Sequence, residues 1–125
     1  MSGRQKTMNI LCMFLLFATM LAAGLSVGSA AAAPVVVVGI RGEIDAGQTA
    51  LIFKAINEAT AKKAGALLVE IETFGGQVDA AVKIRDMISD SKLKTICYVK
   101  NRAWSAGALV AISHRHIAIA PGGTI

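Results

Sequence analysis

An α/β fold with mainly parallel strands is predicted by three observations. Short, almost continuous runs of apolar and β-branched residues alternate with segments of helical periodicity. Glycines or small polar clusters punctuate the junctions between them. The first run, Val35-Val36-Val37-Val38-Gly39-Ile40, is too continuous for a strand with one face in water.

The elements follow in order. Residues 35–40 read as the first strand, and Gly42 and Gly47 bracket a polar turn. From about 48 to 63 the residues Ile52, Ile56 and Ala59 recur at helical spacing, and Gly65 is the expected stop. Residues 66–71 form a second buried run, followed by Glu72-Thr73-Phe74-Gly75-Gly76. Val78, Ala81, Val82, Ile84 and Ile88 mark a second helix, ending near 91. Residues 94–99 are strand three. Residues 104–113 form a short helix that is apolar nearly all round, which implies burial on every face. Residues 116–120 read as strand four and Pro121-Gly122-Gly123 as a turn.

Residues 1–32 are expected to be an export signal rather than part of this fold. Arg4 and Lys6 make a positive start, Ile10 to Leu25 is apolar, and the alanines before Pro34 suit cleavage near Ala32. The apolar stretch falls short of the roughly 20 residues a membrane span needs. The expected location is therefore the periplasm or another extracytoplasmic face of the membrane. Removing Arg4 and Lys6 lowers the net charge from +5 to +3. The remaining cations are interspersed with acids, so nucleic-acid binding is not expected. Cys97 is then the only thiol, inside an apolar strand, and reads as a small core residue. His114 and His116 lack neighbours at ligand spacing, so no metal and no cofactor are expected.

The chemistry centres on Arg102-Ala103-Trp104-Ser105-Ala106-Gly107-Ala108, where a strand gives way to a helix. A serine there can be presented at the sheet's rim as a nucleophile. It can equally be a plain helix N-cap. Gly75-Gly76, at the end of the preceding strand, can offer backbone N–H groups to an oxyanion, or be only a turn. Both features lie at carboxyl ends of neighbouring strands, where ligands of parallel sheets bind. No base is evident. One helix would put His114 ~14 Å from Ser105, and His116 lies further along. Arg102 cannot deprotonate, and Lys100 stands at a strand end with nothing to desolvate it.

Four ordered motifs carry a family resemblance: residues 38–45, residues 72–81 around the glycine pair, residues 102–108 around Ser105, and Ala120-Pro121-Gly122-Gly123-Thr124-Ile125. Together they resemble the amino-terminal protease domain of NfeD-type membrane-bound serine proteases, of the ClpP class with its crotonase-like β–α–β spiral. The resemblance implies a Ser–Lys endopeptidase with Ser105 as nucleophile and an oxyanion hole of Gly75, Gly76 and Ala106. It implies cleavage of hydrophobic segments of stomatin-like membrane proteins, and a homo-oligomer is expected. Phe74 stands where the class commonly has proline. The family's lysine lies on a segment later than residue 125, so residues 33–125 read as a partial protease domain. Two alternatives are a non-catalytic module that binds a membrane partner or an intact protease, and a crotonase-type acyl-CoA enzyme. The export signal argues against the second.

Overall fold

The computed structural model describes residues 32–125, together with Met8 and Met13. Apart from Met8, Met13 and Ala32, the expected export signal thus lies outside the described residues. Among those residues, no helix is long and apolar enough to cross a membrane.

Four strands and three helices alternate: β1 (Val35–Ile44), α1 (Ala46–Ala61), β2 (Ala66–Gly76), α2 (Val78–Asp90), β3 (Thr95–Ala103), α3 (Ala106–Ile112) and β4 (His116–Ile119). The strands form one parallel sheet in the order β1-β2-β3-β4. Every crossover therefore steps in the same direction. With the usual right-handed connection, that stepping puts all the helices on one face.

Burial follows this geometry. Val38, Ile40, Leu67, Val69, Ile71, Cys97 and Val99 alternate along their strands and join Ile52, Ile84, Ile88 and Val110 of the helices in one core. Fully burying each of the isoleucines is worth about 1.5–3 kcal/mol relative to exposure. The expectation that β1 is covered on both faces is corrected: Val35 and Val37 point to the face without helices and are exposed. The sequence run looked two-sided because Val36 and Val38 intervene.

Two further expectations are corrected. Helix α3 is not buried all round, because Ile112 is 63% exposed at its end. Gly65 is not the helix stop. Lys63 adopts the left-handed conformation there, with φ 49°. Gly65 instead sits where a β-carbon would come 3.1 Å from Ala33 Cβ.

The strands also run past their apolar stretches. β1 continues through Gly42, with a register shift between Arg41 and Glu43, so that Glu43 and Ile44 pair with Gly75 and Gly76. The glycine pair is thus the end of β2 rather than a free turn. Asp45 then caps α1, its carboxylate accepting from the N–H of Gln48 at 2.9 Å.

Candidate active site

The polar ends of β1, β2 and β3 meet at one rim of the sheet, and Ser105 stands there. The connection from β3 is short: Trp104 N–H donates to the carbonyl of Thr73 at 3.2 Å, and α3 begins at Ala106. Ser105 between them has φ 53° and ψ −122°. A non-glycine residue there costs about 1–3 kcal/mol unless its surroundings hold it.

An ordinary N-cap serine has extended backbone angles and bonds a first-turn N–H through its side chain. Ser105 has neither: its backbone is strained and its hydroxyl makes no capping bond. The side chain is exposed, and its Oγ has no hydrogen-bond partner among the described residues. Gly107 and Ala108 return N–H bonds to the carbonyls of Trp104 and Ser105 (2.8 and 3.0 Å). The N–H of Ala106, first in the helix, is left without a partner among the described residues, as helix starts dictate.

Gly75 faces Ser105 directly. A β-carbon on Gly75 would lie 2.9 Å from Ser105 Cβ and 3.3 Å from its Oγ, and Gly75 has φ 116°. Space and backbone angle both require glycine. Its N–H, however, donates to Thr73 Oγ1 at 2.9 Å. Gly76 is tight for another reason: a β-carbon there would overlap the backbone of Ile44, whose carbonyl accepts from Gln77 N–H at 2.8 Å. The three residues expected beside the serine, Gly75, Gly76 and Ala106, therefore gather at this rim.

An open groove of about 420 Å³ runs beside the pair, lined by Gly42, Glu43, Phe74, Gly75 and Gly76. Phe74 is 68% exposed and meets Trp104 edge to face, with ring centres 5.6 Å apart. The Arg102 guanidinium lies over both rings, 4.5 Å from Phe74 and 5.5 Å from Trp104. The Trp104 indole N–H donates to Thr124 Oγ1 at 2.7 Å. The backbone of Thr124 in turn pairs alongside Asn101 and Ala103.

Neither histidine joins the serine. His114 is buried past the far end of α3, its Nδ1 3.0 Å from the Val110 carbonyl and 3.2 Å from that of Ala111. Burial pushes its pKa down, against an upward pull from those carbonyls. His116 is exposed and pairs with Ile96, at the opposite end of β3 from Ser105. Cys97 is buried in β3, and loss of solvation pushes its thiol up to about 12. Among the described residues, no group of three or more His, Cys, Asp or Glu is disposed to hold a metal ion.

The sequence marks Gly107 as small enough for close approach beside Ser105, but gives no role to Thr73. A β-carbon on Gly107 would come 2.5 Å from Thr73 Cγ2, so this glycine lets α3 close onto β2. The available signal was Thr73 itself, a polar residue at an inward position of a strand otherwise filled by Leu67, Val69 and Ile71.

The family profile described as NfeD1b, N-terminal domain, matches residues 34–125. Membrane protein NfeD1b of Bacillus subtilis (strain 168) is 33% identical over 89 residues, covering 71% of this chain and 20% of that protein. A membrane-bound protease of Pyrococcus horikoshii is 35% identical over 94 residues, covering 73% of this chain and 21% of the relative. The solved 1510-N membrane protease specific for a stomatin homolog, also from Pyrococcus horikoshii, superposes with a TM-score of 0.68 at 35% identity. That alignment covers 74% of this chain and 47% of the other. ClpP1 from Listeria monocytogenes matches with a TM-score of 0.59 at 24% identity, over 62% of this chain and 46% of its own, a likeness of fold alone. The chain spans about a fifth of the length of the curated relatives it matches.

Proposed function

This chain belongs to the NfeD1b amino-terminal-domain family, with a ClpP-like α/β fold, and from that premise we propose that residues 33–125 carry the nucleophile half of a serine endopeptidase. The observation that supports it is Ser105: a strained backbone, a hydroxyl without a partner among the described residues, and Gly75 opposite. In this reading Ser105 Oγ attacks the carbonyl carbon of a peptide bond. The carbonyl oxygen gains negative charge and is met by the Ala106 N–H and by the N–H of Gly76, since that of Gly75 is already held by Thr73 Oγ1.

The hydroxyl proton passes to a base, which we assign to a lysine amine supplied from outside residues 33–125. Such an amine must be desolvated to be neutral near pH 7. The solved relative was studied both as a serine-to-alanine mutant and as a lysine-to-alanine mutant with a substrate peptide. The substrate proposed is a hydrophobic segment of a stomatin-like membrane protein, laid in the groove beside Phe74. Residues 1–32 would direct this chemistry to the extracytoplasmic face, and assembly as a homo-oligomer is part of the same reading.

A second reading, a non-catalytic module that assembles with an intact protease, is favoured by the lack of any hydrogen-bonded base at Ser105 among the described residues. A fluorophosphonate probe separates the two. Covalent labelling that disappears in Ser105→Ala supports the peptidase. An unlabelled wild-type chain, with the lysine-bearing segment supplied, supports the module.

A further inference from the structure

We propose that Thr73 is the positioning residue of this site, its hydroxyl holding the Gly75–Gly76 backbone against the Ser105 elbow; the role rests on the serine-peptidase reading above. Thr73 is 1% exposed. Its hydroxyl has one hydrogen to give and lone pairs with which to accept. The hydrogen goes to the nearer of two acceptors, the carbonyl of Gly42 at 2.5 Å, where β1 shifts register; the carbonyl of Gly75 lies at 3.1 Å. A lone pair takes the N–H of Gly75 at 2.9 Å. The Thr73 carbonyl accepts from Trp104 N–H, and its methyl fills the space that Gly107 leaves. The end of β1, the glycine pair, the approach to Ser105 and the first turn of α3 all meet on this residue.

The hydroxyl matters because glycine does not fix its own conformation. Gly75 has φ 116°, one of many angles open to it. A bond from its N–H is what selects that angle and sets the bare α-carbon opposite Ser105. Valine has threonine's shape but would leave the Gly42 carbonyl and the Gly75 N–H unpaired. Serine lacks the methyl but keeps both bonds. Misplacing a reacting geometry by ~1 Å costs on the order of 10²-fold in rate.

The test compares the wild-type chain with Thr73→Val and Thr73→Ser. It reads the fluorophosphonate labelling rate well below the melting temperature, and hydrogen exchange at the Gly75 amide. Thr73→Val is expected to lose protection at Gly75 and to label on the order of 10²-fold more slowly. Thr73→Ser is expected to restore both. Wild-type labelling by Thr73→Val, or a Gly75 amide still protected in it, overturns the proposal. So does a Thr73→Ser chain as slow as Thr73→Val, which would give the role to the methyl group. If Thr73→Val fails to fold, an unprotected Gly75 amide in the wild type or in Thr73→Ser overturns the proposal, and protection in both supports it. A wild type left unlabelled with the lysine-bearing segment supplied defeats the peptidase reading, while the exchange measurement still decides whether Thr73 anchors Gly75.

Discussion

Gly75 and Ser105, thirty positions apart in sequence, stand so close that a β-carbon on the first would lie 2.9 Å from that of the second. Gly75→Ala adds that atom at φ 116° as well. The expected result is destabilisation of about 1–3 kcal/mol, from strain and overlap together, and loss of fluorophosphonate labelling. Urea denaturation beside the labelling assay checks both. A Gly75→Ala chain that labels normally contradicts the close approach.

Ser105 holds a backbone conformation with no capping bond to compensate for it. Ser105→Gly is therefore expected to stabilise the chain by about 1 kcal/mol while abolishing labelling. Ser105→Ala, which keeps the β-carbon, should remove labelling with little gain. Thermal melts of the two variants side by side test the difference.

His114 supplies a pH dependence. Its folded pKa is lowered from 6.5, mainly by burial, so the unfolded chain binds the proton more readily. The stability this group contributes is fully present above pH 6.5 and is lost as the pH falls through its folded value. Denaturation midpoints from pH 7.5 downward should decline in that window, and His114→Gln should flatten the decline.

Cys97 is buried, with its thiol pushed up to about 12 by loss of solvation. Near neutral pH it should resist a thiol reagent until the chain unfolds. Alkylation followed across a urea titration should track the unfolding transition. Rapid reaction of the folded chain would place the thiol elsewhere.

The order of elements was legible because Val35–Val38, Leu67–Val69 and Ile96–Val99 are dense enough to announce strands, and Ile52, Ile84 and Ile88 to announce helix faces. Strand ends were not. Gly42–Ile44, Thr73–Gly76 and Asn101–Ala103 extend their strands through polar or glycine-rich sequence, held by backbone pairing that needs no apolar side chain. These extensions are what build the rim. The Ser105 and Gly75–Gly76 motifs could be seen in the sequence, but the serine's backbone angle could not. Thr73 was hidden for a different reason: beyond Gly75 on its own strand, its partners lie in β1 and at the β3–α3 junction, so no local spacing reveals them. Ile112 misled because an apolar residue in a short helix does not say which neighbour will cover it.

Trp104 is the single tryptophan of the sequence. It sits one residue before the candidate nucleophile, beside an arginine and a phenylalanine, with its indole N–H tied to Thr124. The protein thus carries an optical reporter at the spot where the proposed substrate would arrive. Excitation at the indole band gives an emission whose colour and intensity follow solvent access to that ring, so occupancy of the rim can be read in an unlabelled cuvette.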